Sequence, residues 1–345
     1  MFKHFKWSFI CVIVGLVCAF WRGEAMHGAG VAFALTAFAI SLLEVAISFD
    51  NAVVNAVKLE HMDDVWRHRF LTWGIFIAVF GMRFLFPVAV VAVFSHIPFS
   101  KVISLALSNP DEYVAHLEEA NAGIVSFGGM FLMMLFLKFF IDKNKRVDWI
   151  WFIERPMKKI ASLRFSHEII AALALAVLML FLPDTDRAVC AVSGIVGILL
   201  FLGIDTVSRW LEKHHKGAGD GVRLSGKAGF AAFMYLELID ASFSLDGVLG
   251  AFAFTKDVVV IVVGLGVGAM FVRSLTIVLV EHKTLDKLKY LTNGAYWAIG
   301  ALSVVMLKSA VREVPEAFAA LVSIVFIVFA LFSSLLHNRK SRGRA

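Results

Sequence analysis

Long apolar runs recur along the whole chain and constrain its fold more than any other feature. A membrane's hydrocarbon core takes about 20 apolar residues per helix. On that rule about ten spans are predicted, at roughly 7–21, 29–57, 70–94, 122–141, 168–182, 188–210, 229–254, 258–280, 290–307 and 315–336. Composition agrees, because 60% of the residues are hydrophobic and only 17% are charged. The sequence therefore predicts an all-α, polytopic membrane protein.

Lysine and arginine are concentrated in alternate loops, which indicates an orientation. The basic loops are 58–69, 142–167, 211–228 and 281–289, and both ends of the chain are also basic. All of them lie on one side if every run crosses, and the positive-inside rule assigns that side to the cytoplasm. We therefore expect an inner-membrane protein with both termini in the cytoplasm. Nucleic-acid binding is not expected, since no basic stripe is interleaved with aromatic residues.

Five carboxylates lie in two otherwise apolar runs: Glu44, Asp50, Glu237, Asp240 and Asp246. An ionised side chain at the centre of a bilayer costs roughly 2.5–3.5 kcal/mol on insertion scales, so such residues usually have partners and a function. Two interpretations are open. The acids form a binding site, which we favour, or they form a buried hydrogen-bonded network that fixes helix packing.

The two acidic runs share one pattern. An acid, a serine four residues on and an aspartate six residues on occur twice, as Glu44, Ser48 and Asp50 and as Asp240, Ser244 and Asp246. A span with a single arginine follows each, carrying Arg83 or Arg273. The charge rule makes the two runs cross in opposite directions. This predicts an inverted-topology repeat of three helices, a plan in which transporters bind substrate at the repeat interface.

A spacing of six places two acids on different faces of a regular helix. Either the helices are broken near Ser48 and Ser244, or the acids form a ladder along the membrane normal. We favour breaks, because transporters place interrupted helices at their sites.

The donors around these positions are all oxygen atoms, since Ser48, Asn51 and Ser244 accompany the acids. Such a set suits Mg²⁺, Ca²⁺ or Mn²⁺ better than Zn²⁺ or Cu⁺. Arg83 and Arg273 are either structural ion pairs or placeholder cations that hold the acids when no metal is bound.

The predicted organisation has five parts: an N-terminal transmembrane anchor helix in 1–28, a first repeat half in 29–141, basic cytoplasmic loops with two connecting helices in 142–228, a second repeat half in 229–308, and a C-terminal helix with a basic tail in 309–345. The first run is interpreted as a retained helix rather than a cleaved signal peptide. The aromatic and basic segment 147–160 is either a helix on the inner membrane surface or an anchored loop.

Three stretches carry a family resemblance. "LLEVAISFDNAVV", "ELIDASFSLDGVLGAFAFT" and "LTNGAYWAIGALSVVMLK" resemble signatures of the TerC/Alx family, in the LysE-type transporter superfamily, and the chain looks like a divergent branch of it. The resemblance covers roughly 29–141 and 229–308. It implies manganese export or, by older naming, tellurite resistance, with metal roles for Glu44, Asp50, Asn51, Asp240 and Asp246. Gly247 departs from the pattern, because the family usually has serine there.

The expected function is a secondary transporter that exports a divalent cation, with manganese first and calcium or magnesium as alternatives. A coupling proton and membrane lipids are the other expected partners. An enzyme is not expected, since neither a His-Glu metal motif nor a nucleophile pattern occurs, and the chain lacks an ATP-binding glycine loop. A membrane metalloenzyme and a non-transporting stress-response scaffold are the alternatives.

Overall fold

The apolar runs form helices, because a backbone in hydrocarbon has to satisfy its own hydrogen bonds. The computed structural model describes residues 2–163, 165–213, 223–312 and 314–342, without the side chains of a few of them, Asp246 included. Within these ranges the chain is helical and has no strand, only an isolated bridge between Met62 and Leu224. The molecule is an all-α, polytopic membrane protein.

The helices in chain order are α1 (Phe2–His27), α2 (Gly30–Ile47), α3 (Phe49–Leu59), α4 (Asp64–Phe76), α5 (Phe86–Phe94), α6 (Phe99–Ser108), α7 (Pro110–Phe140), α8 (Trp151–Ile160), α9 (Ser166–Phe181), α10 (Asp184–Lys213), α11 (Gly226–Phe252), α12 (Val258–Glu281), α13 (Thr284–Lys287), α14 (Leu291–Ser309) and α15 (Glu316–Arg342). A π-helical segment, Ile77–Leu85, joins α4 to α5.

Seven helical stretches of the described chain are long and apolar enough to cross a membrane: Phe5–Met26, Gly30–Ile47, Asp64–Phe94, Pro110–Phe140, Asp184–Leu211, Val258–Glu281 and Phe318–Arg339. The other three predicted spans fall on α9, α11 and α14. Helix α9 has only 16 residues, and the acids of α11 lower its hydropathy.

Contacts between helices show their relative directions. The hydroxyl of Ser8 lies 2.7 Å from that of Ser274, and Arg22 forms an ion pair with Asp257 at 3.0 Å, so α1 and α12 are antiparallel. In the same way, the amide of Tyr290 bonds to Ser334, while Trp297 stacks on Phe326, which makes α14 and α15 antiparallel.

The two predicted repeat halves also contact each other in the expected directions. Trp66 packs on Phe233, and the hydroxyl of Ser244 bonds to the carbonyl of Met82, so α11 runs parallel to the α4–α5 stretch. Helix α7 is antiparallel to α14, because Ser303 bonds to the carbonyl of Gly129 near one end and Phe139 stacks on Tyr296 near the other. These directions agree with an inverted repeat.

Residues 95–121 lie between two predicted spans and carry several acids, which predicts a loop on the side opposite the basic loops. This prediction is wrong, since most of the segment is helical. Pro98 is the N-cap of α6 and Pro110 begins α7, and proline is well suited to the first turn of a helix. In α7, Tyr113, Leu117 and Ile124 are buried at helical spacing. The acids between these positions obscured an apolar stripe that packs on α5 and α6.

The segment 147–160 contains a short helix, α8, that is anchored through a fully buried carboxylate. Trp151 and Phe152 are exposed, whereas Glu154 is 0% exposed. The carboxylate of Glu154 accepts hydrogen bonds from five donors: the Nζ of Lys145, the amides of Trp149 and Ile150, the Nδ2 of Asn293 and the Nε1 of Trp297. The segment therefore contains a helix, as the first interpretation predicted, and that helix is held against α14; its position on the inner membrane surface stays a prediction.

We expect Glu154→Gln to release α8 from α14. Burial alone would raise the pKa of Glu154, but its donors, led by Lys145, outweigh burial and hold the pKa below its ordinary 4.5. A carboxylate with a lowered folded-state pKa stabilises the fold above its unfolded pKa and loses that contribution as the pH falls through the folded value. Relative to the intrinsic exchange rate at the same pH, amide exchange of 148–160 should therefore accelerate in Glu154→Gln at pH 7 and in the wild type as the pH falls through the lowered pKa of Glu154.

Hydrogen exchange in detergent would check this, with Glu119→Gln as the control, since the side chain of Glu119 is 75% exposed. Unchanged exchange in Glu154→Gln would show that α8 is held by its apolar contacts alone.

Candidate ion site between the two halves

The predicted break at Ser48 is present, whereas the one at Ser244 is not. Helix α2 ends at Ile47 and α3 begins at Phe49, with Ser48 between them at φ −91° and ψ 15°. The hydroxyl of Ser48 donates to Oε1 of Glu44 at 3.1 Å. Helix α11 runs through Ser244 without interruption. The first acidic run is thus interrupted at Ser48, and the second presents its acids from a continuous helix.

Ser244 has a structural role that the sequence pattern did not indicate. In the π-helical segment, the amide of Phe86 bonds to the carbonyl of Gly81, five residues back. The next bond in this register would join residue 87 to Met82, but Pro87 has no N–H. The hydroxyl of Ser244 donates to that carbonyl instead, at 3.0 Å. A polar group of one half therefore satisfies an opened backbone in the other.

Arg83 lies within the π-helical segment and holds acids from both halves. Its Nη2 is 2.5 Å from Oε1 of Glu44, and its Nη1 is 3.3 Å from Oδ2 of Asp240. The same Nη1 donates to the carbonyl of Ala78 at 2.7 Å. The side chains of Arg83 and Glu44 are each 2% exposed, so this ion pair is almost fully removed from solvent. π-Helical segments inside α-helices often mark functional positions.

Arg273 forms the corresponding pair in the second half. Its Nη2 lies 3.1 and 3.2 Å from the two carboxylate oxygens of Glu237 and 3.8 Å from Oδ2 of Asp240. Asp240 also accepts a hydrogen bond from Nδ2 of Asn51 at 2.7 Å. Both arginines therefore approach the same oxygen of Asp240. Glu237 pairs with Arg273 as Glu44 pairs with Arg83, so these two glutamates have equivalent partners. The repeat pattern in the sequence instead placed Asp240 at the position equivalent to Glu44.

Glycines give the buried charges their space. A Cβ at Gly247 would lie 2.8 Å from Oε2 of Glu44, and one at Gly268 would lie 2.5 Å from the Cβ of Glu44. At position 247, where the resemblance to the TerC/Alx family leads us to expect serine, the carboxylate of Glu44 would have to move to admit a side chain.

Gly74→Ala should lower stability markedly. Its Cβ would lie 2.5 Å from Nη1 of Arg273 and 2.7 Å from Oε1 of Glu237, and both groups are buried. Overpacking of this kind typically costs about 1–3 kcal/mol. The melting temperature in detergent should fall, while Gly203→Ala, whose Cβ meets nothing within 4 Å, should leave it unchanged or raised. Equal melting temperatures for both variants would contradict the close contact.

The predicted site residues have three outcomes. Six of them form one buried network: Glu44, Asn51, Arg83, Glu237, Asp240 and Arg273. Asp50 is 1% exposed and lies beside this network, where its Oδ1 accepts the amide of Asn51 at 2.8 Å. The side chain of Asp246 lies outside the described part of the chain, so its predicted role stays a prediction.

Among the described residues, no three His, Cys, Asp or Glu side chains converge in the way that a ready-made metal site requires. The acids of the network face the arginines instead.

Three buried polar residues were missed by sequence reasoning. Asn55 is 2% exposed on α3, Glu154 anchors α8, and Asp205 of α10 forms an ion pair with Nη2 of Arg209 at 2.5 Å. A signal existed for Asn55, because it follows Asn51 at helical spacing within an apolar run. Asp205 carried the same kind of signal, because it is an acid within the predicted span 188–210. Glu154 did not, because it lies in the charged loop 142–167, where nothing set it apart.

The fold and the buried charge network define a polytopic helical membrane protein with a buried ion-pair centre. A family model described as "Protein of unknown function (DUF475)" matches residues 49–341, and the chain belongs to this family. The chain is also 26% identical over 200 residues to "Uncharacterized membrane protein YceF" of Bacillus subtilis (strain 168), a match that covers 49% of this chain and 77% of the relative. No solved structure matches the chain significantly.

Proposed function

We propose that the protein is a secondary transporter that moves a divalent metal cation through the centre between its two halves. The observation that carries the proposal is Asp240, whose Oδ2 is approached by Arg83 of the first half and Arg273 of the second. Acids and bases within membrane spans are rare and usually functional. A centre shared by two inverted halves lies where secondary transporters bind their substrates.

The balance of charge at this centre supports a divalent substrate. Four buried carboxylates, those of Glu44, Asp50, Glu237 and Asp240, accompany two buried guanidinium groups, those of Arg83 and Arg273. Among these described side chains alone, with all of them ionised, the acids exceed the bases by two charges (4 − 2 = 2), which one divalent cation would balance. The donors are carboxylate and amide oxygens, which suit Mn²⁺, Ca²⁺ and Mg²⁺. A proton bound to one of these acids would neutralise part of the same excess negative charge. A proton is therefore the coupling ion that we propose.

The arginines have a defined task in this mechanism. Without a metal ion they neutralise Glu44, Glu237 and Asp240 in a region where an unpaired carboxylate would be costly. An entering cation competes for these acids, and Arg83 withdraws towards the carbonyl of Ala78, which its Nη1 already contacts. Arginine and cation thus alternate as partners of Asp240.

Manganese is the first candidate because of the resemblance to the TerC/Alx family, and export is the direction that this resemblance implies. We further propose that the DUF475 family as a whole is related to the TerC/Alx family. Both termini are proposed to lie in the cytoplasm, by the positive-inside rule.

The test is Mn²⁺ flux into proteoliposomes of purified protein that contain a dye quenched by Mn²⁺, with and without a pH gradient. We expect quenching above the rate of protein-free vesicles and a dependence on the gradient. Quenching no faster than in protein-free vesicles with Mn²⁺, Ca²⁺ and Mg²⁺ alike would refute the transport proposal.

A further inference from the structure

A polar stripe runs along α3 from the ion-pair centre towards one end of the helix. Asn51, Asn55 and Lys58 lie at i, i+4 and i+7, so they share one face of the helix. Asn51 contacts Asp240 of α11. The Nζ of Lys58 lies 5.6 Å from the ring centroid of Tyr235, which is also on α11. Asn55 therefore lies between these two levels, about 6 Å along the axis from Asn51.

The amide oxygens of this stripe have unused hydrogen-bonding capacity. Asn51 is 0% exposed and Asn55 is 2% exposed, and Oδ1 of each is buried with no hydrogen-bond partner among the described residues. The orientation of the Asn51 amide follows from chemistry, since its Nδ2 donates to the carboxylate of Asp240. A buried acceptor that lacks a donor destabilises the fold, and a leucine at the same position would avoid this cost.

A cavity opens at the far end of the stripe. It has a volume of about 210 Å³ and is lined by Val54, Lys58, Tyr235 and Asp205, among others. Lys138 of the same lining forms an ion pair with Asp205. By the predicted orientation this cavity is on the cytoplasmic side. Asn55 thus lies between the ion-pair centre and the inner cavity.

We propose that Asn55 is a ligand for the transported divalent cation on its path between the inner cavity and Asp240, and that it helps to determine specificity. The inference rests on the proposed transport function. Amide oxygens are hard neutral donors that coordinate divalent cations. A neutral ligand here serves transport better than an acid, because an ion on a conduction path has to bind and also leave. Asn51 and Asn55 pass the ion on from one amide oxygen to the next.

The test compares Asn55→Leu and Asn55→Asp with wild type in the Mn²⁺ flux assay, with Mg²⁺ and Ca²⁺ as competitors. Leucine has a similar size and no donor atom, so the maximal rate should fall at least about tenfold, as it does when metal-binding groups lose a partner. Aspartate adds a charge that binds the ion more tightly and releases it more slowly, so KM and maximal rate should fall together. Competition by Mg²⁺ and Ca²⁺ should change in both variants.

Thr276→Val is the matched control, because the Thr276 hydroxyl is buried and donates at 2.9 Å only within its own helix, to Val272. It should keep the wild-type rate and KM per folded molecule. A structural role for Asn55 would lower the amount of folded protein and leave KM and competition unchanged, which would overturn the inference, as would wild-type transport by Asn55→Leu. If the wild type carried no divalent cation, the proposed function would fail first, and this inference with it.

Discussion

Arg83→Gln should destabilise the protein without metal more than any other single substitution in the centre. Arg83 contacts Glu44 at 2.5 Å and Asp240 at 3.3 Å, and all three side chains are buried. Removal of one partner from a buried ion pair typically costs about 3–5 kcal/mol, because the other charge stays buried without compensation. The melting temperature in detergent that contains a chelator should therefore fall sharply.

Saturating Mn²⁺ should restore most of this loss, since a ligand that binds the folded state stabilises it. This result separates the two roles left open by the sequence. A placeholder arginine is needed only when the cation is absent, whereas a structural ion pair is needed at every metal concentration. A melting temperature that stays equally low at saturating Mn²⁺ would assign Arg83 to the structure alone.

The double variant Arg83→Gln/Glu44→Gln is the matched control. It removes the acid that the single variant leaves unpaired, so the melting temperature without metal should rise above that of Arg83→Gln. Arg273→Gln should show a smaller loss than Arg83→Gln, because Arg273 binds Glu237 and reaches Asp240 only at 3.8 Å.

Asp240→Asn should abolish transport while the protein remains folded. Asparagine keeps the size of the side chain and one acceptor oxygen, but it removes the charge that both arginines approach. Loss of a metal-site partner typically lowers affinity about 10–100-fold, and loss of a charged ligand should have at least that effect. The Mn²⁺ flux should fall accordingly, and Glu119→Gln, an exposed acid outside the centre, should match the wild type. Wild-type flux in Asp240→Asn would remove Asp240 from the path.

The positions of the helices could be predicted from the sequence, because hydropathy and the lysine and arginine distribution report directly on membrane crossing. The break at Ser48 was predicted correctly, but the same pattern of polar residues predicted a break at Ser244, where α11 is continuous. Local polar groups alone therefore do not determine where a helix is interrupted. The early start of α7 was not predicted, because acids mask the apolar stripe that contains Tyr113 and Leu117. The helix Phe99–Ser108 was missed because its 10 residues are too short to be recognised as a membrane span.

The buried network was predictable in its members but not in its pairing. The repeat pattern singled out Glu44, Asp240, Arg83 and Arg273, which the structure brings together. Glu237 pairs with Arg273 because one particular side of α11 faces Arg273. The spacing of residues in the sequence does not show which side of a helix faces a given neighbour. The use of Ser244 as a donor to Met82 depends on Pro87 in another helix, and such long-range contacts leave no local signal in the chain.

The most direct measurement of the central claim is electron paramagnetic resonance of Mn²⁺ added to the purified protein in detergent. The spectrum separates free from bound Mn²⁺, so it reports occupancy without any assumption about transport. We expect the wild type and Glu119→Gln to bind Mn²⁺ in the same way and Asp240→Asn to leave it free. Equal binding by all three proteins would place the cation elsewhere and contradict a site between the two halves.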